Sequence, residues 1–188
     1  MSILAMAVVG LAISGYRLSP VPAVQLPAGG GAQAEVAYAL EHWNDRNTAE
    51  YGSLGQDDCV NFVSQALIAR GWPQTAEWWH TQTLGVNRYS AAWISSTAFA
   101  NYLSAHPELA TAVSDSQRAR VAVGDIVQFD WDNSGNRDHT GIVTRIERDH
   151  GHSEVFYASH SNDRRNMSVD RALQLDGGTA YYWHLTAP

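Results

Sequence analysis

The chain of 188 residues contains no lysine. Its 12 basic residues are all arginine, they form no basic run, and 19 acidic residues outnumber them to give a formal net charge of −7. A nucleic-acid partner and a polybasic membrane contact are therefore not expected. A single cysteine, Cys59, excludes an intramolecular disulfide framework and any CxxC metal or redox motif. The amino-terminal apolar run, Ile3–Ser14, stops at 12 residues, short of the ~20 that a membrane span requires. G-x-S-x-G, H-E-x-x-H, P-loop and G-x-G-x-x-G motifs are all missing, as are internal repeats and low-complexity segments. What is present is 45% hydrophobic and 16% charged residues, the balance of one folded, core-forming domain.

The apolar run suits the h-region of a signal peptide, and Val21-Pro22-Ala23 offers a small-x-small cleavage site. Pro20, Pro22 and Pro27, followed by Gly29-Gly30-Gly31, read as a linker. No basic residue precedes the run, so a retained anchor or a buried first helix stays open beside cleavage. The expected organisation is a signal peptide or anchor over 1–23, a linker over 24–31 and a folded domain over 32–188. The protein is expected to be secreted or displayed at the cell surface.

Ala32 to Glu50 reads as a helix with Val36, Leu40 and Trp43 on one face. Asp58 to Arg70 reads as a second, capped by Asp57 or Asp58 and stopped by Gly71 and Pro73. Gly71 to Tyr89 reads as loop. A third helix starts near Ser95 or Ser96 and ends before Pro107. Four short β-branched or aromatic runs follow, Asp125–Trp131, Thr140–Glu147, Glu154–His160 and Ala180–Leu185, separated by turn-formers. Helices first and an antiparallel meander after them make an α+β fold, with amino-terminal helices packed on the sheet.

Cys59 falls in the first turn of the second helix, where unpaired N–H groups favour a thiolate. Asp57 and Asp58 oppose this, so the thiol needs a partner base. The alternative is a small buried apolar residue, because Cys59 also lies on the helix's core stripe. His139, at the entrance of a strand, is the candidate base, and a neutral imidazole beside a thiol makes cysteine nucleophilic near neutral pH. His160 and Asn162 share one face of the next strand, and either can orient His139. Trp78, Trp79 and Trp131 are candidates for a substrate cleft or for plain core. Asp149, His150 and His152 read as a solvated turn rather than a metal site.

Asp58-Cys59-Val60-Asn61-Phe62-Val63-Ser64-Gln65 resembles the DC-x-N-F-x-S-Q signature of the "putative amidase domain", a family related to the CHAP and NlpC/P60 cysteine amidases and peptidases. Gly71-Trp72-Pro73, Trp78-Trp79, Gly124-Asp125-Ile126-Val127, Asp138-His139 and Ala158-Ser159-His160-Ser161-Asn162-Asp163-Arg164 extend the resemblance from about Val36 to Trp183. It implies a papain-like α+β fold with Cys59 as nucleophile, His139 as base, His160 as third residue and Asn162 in support. Asp58, Trp78, Trp79 and Trp131 are the candidate substrate contacts.

The resulting expectation is a secreted, monomeric cysteine amidase or peptidase. It would act on peptidoglycan stem peptides or other peptides, with no cofactor, no metal and no lipid contact beyond the amino-terminal segment. A non-catalytic cell-wall binding module and an acyltransferase that uses the same thioester are the alternatives.

Overall fold

The computed structural model describes residues 30–186. The expected signal or anchor segment and most of the linker lie outside the described residues. Among those described, no helix is long and apolar enough to cross a membrane.

The first half is helical. Helix α1 (Ala32–His42) is followed by a short α2 (Thr48–Tyr51) and a 3-10 turn at Gly55–Asp57. Helix α3 (Cys59–Arg70) comes next, then a hairpin of β1 (His80–Thr83) and β2 (Val86–Tyr89). Helices α4 (Ala91–Ile94) and α5 (Ser96–Ala105) close this half. The second half holds β3 (Ala110–Ser114), a 3-10 segment (Asp115–Arg120), β4 (Ile126–Asp130), β5 (His139–Asp149), β6 (His152–Ser159), β7 (Arg164–Ser168), α6 (Val169–Asp176) and β8 (Thr179–Leu185). Six strands form one sheet in the order β3-β8-β4-β5-β6-β7, with every neighbour antiparallel. The architecture is α+β, as expected.

The expected first helix is two, broken at residues 43–47, and the segment read as loop carries the hairpin β1–β2. The four expected strands all form. Strand β8 runs between β3 and β4, so the sheet is a meander only from β4 to β7.

Alternation along the strands splits the core in two. Ile126, Ile142, Ala158 and Trp183 face α1, α3 and α5, and pack with Phe62, Val63, Leu67 and Phe99. Val127, Phe129, Val143 and Tyr157 point to the other face, against Val169 and Ala172 of α6. Helix α3 contacts α1, α4, α5, β5 and β6, and so is buried almost all round rather than on one stripe. Its end is set by Gly71, whose φ of 109° lets its N–H and that of Trp72 turn back onto Leu67 and Ile68. Arg70 and Glu35 form a buried ion pair of 2.7 Å that pins α1 to the far end of α3.

Candidate active site

Cys59 is the first residue of α3, preceded by Asp58 at the N-cap. Its sulfur lies 3.6 Å from Ser96 Oγ, at the start of α5, and receives main-chain hydrogen bonds from Thr140 and Val60. A directed chain of uncharged groups ends there. Trp183 Nε1 donates to Gln128 Oε1 at 2.8 Å, and Gln128 Nε2 donates to Thr140 Oγ1 at 3.1 Å. Thr140 Oγ1 in turn donates to Ser96 Oγ at 2.9 Å. Since the Ser96 hydroxyl already accepts from Thr140, its own proton is free to point at the sulfur. Burial nevertheless pushes the Cys59 thiol above its ordinary value, against the pull of these donors and with the push of Asp58. Cys59 therefore keeps its proton at rest, and the thiolate favoured by its place at the helix start needs the partner base.

His139 opens β5 on the sheet face away from the helices, where its ring meets Phe129, Trp131 and Tyr157. Thr140, one residue on, points to the helix face and to the sulfur. Cys59 and His139 thus approach from opposite faces at the end of the sheet, and both line one cleft of about 370 Å³ with Gln56, Ser96, Arg137 and Ser161. They are 6% and 8% exposed, and this cleft is where both reach solvent together. No hydrogen bond joins the two side chains among the described residues, so the expected thiolate–imidazolium contact is not closed at rest. The Nε2 of His139 lies 3.0 Å from Ser159 Oγ, while Nδ1 makes no hydrogen bond among the described residues. Burial, with the nearby charge of Arg164, holds the ring down to about 4, so the imidazole is neutral.

The expected contact between His160 and His139 is not made. His160 is fully buried on the helix face, with Nδ1 2.7 Å from Asp58 Oδ2 and Nε2 2.7 Å from the carbonyl oxygen of His42. Ser159 occupies the place beside His139 instead. The reason is register: Ile142 pairs with Ala158, so odd-numbered residues of β6 share the His139 face and His160 takes the other. Asn162 reaches the cleft region beside His139, in the turn after β6. Asp58, expected to touch substrate, is buried beneath Cys59 and accepts from Leu54 N–H, Asn61 Nδ2 and His160. Burial pushes its carboxyl up, but these donors outweigh burial and hold it below the usual range.

The tryptophans divide. Trp78 is core, fully buried against Trp93 with Nε1 on Ser64 Oγ, and Trp79 is half-buried and lines neither cleft beside His139. Trp131 alone stands at the site, stacked on Phe129 and beside His139. The polar letters of the Cys59 segment are likewise scaffold: Asn61 binds Trp93, Ser64 binds Trp78, and Gln65 accepts from Tyr38. Ser96, Gln128, Thr140 and Ser159 were missed by the sequence reading; only their positions beside Cys59 and His139 in the folded sheet single them out. Asp130, Asp132 and Asp138 bring carboxylate oxygens within 4.8 Å of one another. Those groups already accept main-chain N–H bonds from Trp131, Ser134 and Gly135.

These features define an α+β domain whose one thiol and a neutral imidazole open into a common cleft. The chain belongs to the family described as "Putative amidase domain", whose model matches residues 31–183. It is 31% identical over 156 residues to the uncharacterized protein YjcM of Bacillus subtilis (strain 168), covering 79% of this chain and 35% of that one. It is 30% identical over 152 residues to the uncharacterized protein YhbB of the same organism, covering 78% of this chain and 45% of that one. The chain thus spans less than half the length of these relatives. No solved structure matches it.

Proposed function

We propose that this chain is an exported cysteine amidase or peptidase of papain-like arrangement, acting on amide bonds of peptidoglycan stem peptides. One observation carries the reading: the single thiol, at a helix start and bonded by the main chain of Thr140, opens into the same cleft as the adjacent His139. Membership of the amidase family supports it.

The substrate carbonyl enters the cleft between the two groups. Hydrogen bonds between catalytic groups commonly tighten only around the substrate, and here Sγ and Nδ1 close on the amide. Sγ attacks the carbonyl carbon as its proton passes to Nδ1, while Nε2–H donates to Ser159. N–H groups at the start of α3 hold the oxyanion. The C–N bond then breaks, His139 returns the proton to the leaving amine, and a thioester remains. Water, giving its proton to His139, releases the acid and restores the thiol.

Incubating the protein with purified peptidoglycan and reading the soluble fragments by mass spectrometry tests this. New amino groups without new reducing sugar ends, abolished in Cys59→Ala, are expected. Reducing ends without amide cleavage overturn the mechanism. Product carrying an added amine in place of water identifies an acyltransferase.

A further inference from the structure

A second cleft, of about 430 Å³, opens on the other side of His139 among Trp131, Tyr157, Asn162 and Arg164. It shares Asp138, His139 and Ser161 with the cleft of Cys59, so the two meet at the imidazole. Its polar groups have little to bind within the protein. Among the described residues the Arg164 guanidinium makes no hydrogen bond or ion pair, and neither the Tyr157 hydroxyl nor the Asn162 amide makes a hydrogen bond. Ser161 Oγ is buried without a partner. Buried polar groups are normally matched, so the orphaned Ser161 hydroxyl, beside a half-buried Arg164 guanidinium and an exposed Asn162 amide that no described protein group claims, points to a ligand here. Of the two acids here, Asp138 accepts from Trp131 N–H, and Asp176 stands exposed at the rim without pairing to Arg164.

The turn that presents these groups is held in an uncommon shape. Ser161, Asn162 and Asp163 have φ of 61°, 73° and 31° in succession. Left-handed non-glycine residues are unfavourable and tend to persist at functional sites. Arg46 anchors the turn with two hydrogen bonds to Asp163, of 2.7 and 3.2 Å.

We propose that this second cleft is the leaving-group subsite and admits an amine that carries a carboxylate, bound by Arg164. The inference rests on the amidase reading. His139 must hand its proton from Nδ1 to the leaving nitrogen, so that nitrogen sits at the Nδ1 edge and the rest of the amine half extends past the ring, away from Cys59, into this cleft. A guanidinium binds a carboxylate through paired, charge-assisted hydrogen bonds. The Tyr157 hydroxyl and Asn162 amide supply further donors, and Trp131 an apolar wall. A second effect follows. Arg164 is one of the causes that hold His139 down, and a carboxylate on Arg164 offsets that charge. The right substrate thereby strengthens its own base.

The test uses two N-acetylated peptide libraries of alanine, glycine and D-alanine, identical except that one ends in a free carboxylate and the other in a carboxamide. Cleavage of the last bond is followed by mass spectrometry, and binding is measured separately on Cys59→Ala. The carboxylate library is expected to be cut about 10- to 100-fold faster, the worth of a charge-assisted contact. Arg164→Gln should erase the preference and Arg164→Lys retain part of it. The acid limb of the rate should also lie at higher pH for the carboxylate library. Equal cleavage of both, unchanged in Arg164→Gln, overturns the subsite and leaves the amidase reading intact. If neither is cut, Arg164-dependent binding of the carboxylate library keeps the subsite and discards hydrolysis of these peptides. Absence of both cleavage and preferential binding overturns the subsite.

Discussion

Cys59 holds its proton at rest because burial outweighs the donors aimed at its sulfur. Alkylation of the native protein should therefore rise with pH through a midpoint above that of a free thiol, and His139→Ala should barely move it, since no hydrogen bond joins the pair. Ser96→Ala removes a hydroxyl that favours the thiolate and should move the midpoint further up; iodoacetamide rates against pH check both. Turnover depends on different atoms. Ser159→Ala frees the ring of His139 to rotate, and kcat should fall about tenfold, the worth of one ordinary hydrogen bond. His139→Ala should cost far more, and steady-state kinetics on one amide substrate separates the two. Cys59 and His139 could be picked out as candidates in the sequence because a lone thiol and a strand-entrance histidine fall within motifs that resemble one family. Ser159 could not, since its facing follows from the pairing of Ile142 with Ala158, which no local pattern records.

Strand β5 carries its constraint in Gly141. A Cβ there would lie 2.6 Å from Tyr157 Cδ2 and 2.9 Å from the carbonyl oxygen of Ala158. Gly141→Ala must push Tyr157 aside, so it should destabilise the fold by about 1–3 kcal/mol, the range for overpacking. It should also weaken binding in the cleft that Tyr157 floors; thermal unfolding and the carboxylate-library assay on one variant read both effects. Elements with strong patterns were legible in the sequence, among them α3 with its Gly71 stop and the four apolar strands. Strand β7 was not, because Arg164–Ser168 is mostly polar and takes strand form through its ladder with β6. Helix α6 hid for a related reason: only Val169 and Ala172 are buried, so eight residues show too short a stripe to read.

Across the whole molecule, two groups draw stability down on the acid side, against buried Glu35, whose carboxyl, pushed up to about 8, adds stability as pH falls from about 8 to 4.5. His139 is neutral when folded and held down to about 4, whereas the unfolded imidazole titrates near 6.5. Between those values the unfolded chain binds the extra proton, so this group's contribution drops as pH falls from about 6.5 to 4, by about 3 kcal/mol in all. His139→Gln should remove that loss in urea titrations taken across the range. Asp58 is the second group. Its folded carboxyl lies below the unfolded value, so its contribution is present above about pH 3.9 and is lost as pH falls through the folded value. Asp58→Asn replaces the charged partner of the Leu54, Asn61 and His160 hydrogen bonds by a neutral amide and should cost about 1–3 kcal/mol at neutral pH, seen as a lower unfolding midpoint.

On the proposed reading the nucleophile, Cys59, belongs to the helix-side core and the base, His139, packs against the core beneath α6, and the two meet only at the end of the sheet. Variation can therefore reach them separately. Drift among Ala172, Val169 and Tyr157 can reshape the amine half of the substrate while the thiol keeps its surroundings, and drift around Ser96 and Gln128 can do the converse. A lineage built on this plan is free to exchange one side of the bond it cuts without relearning how to cut it.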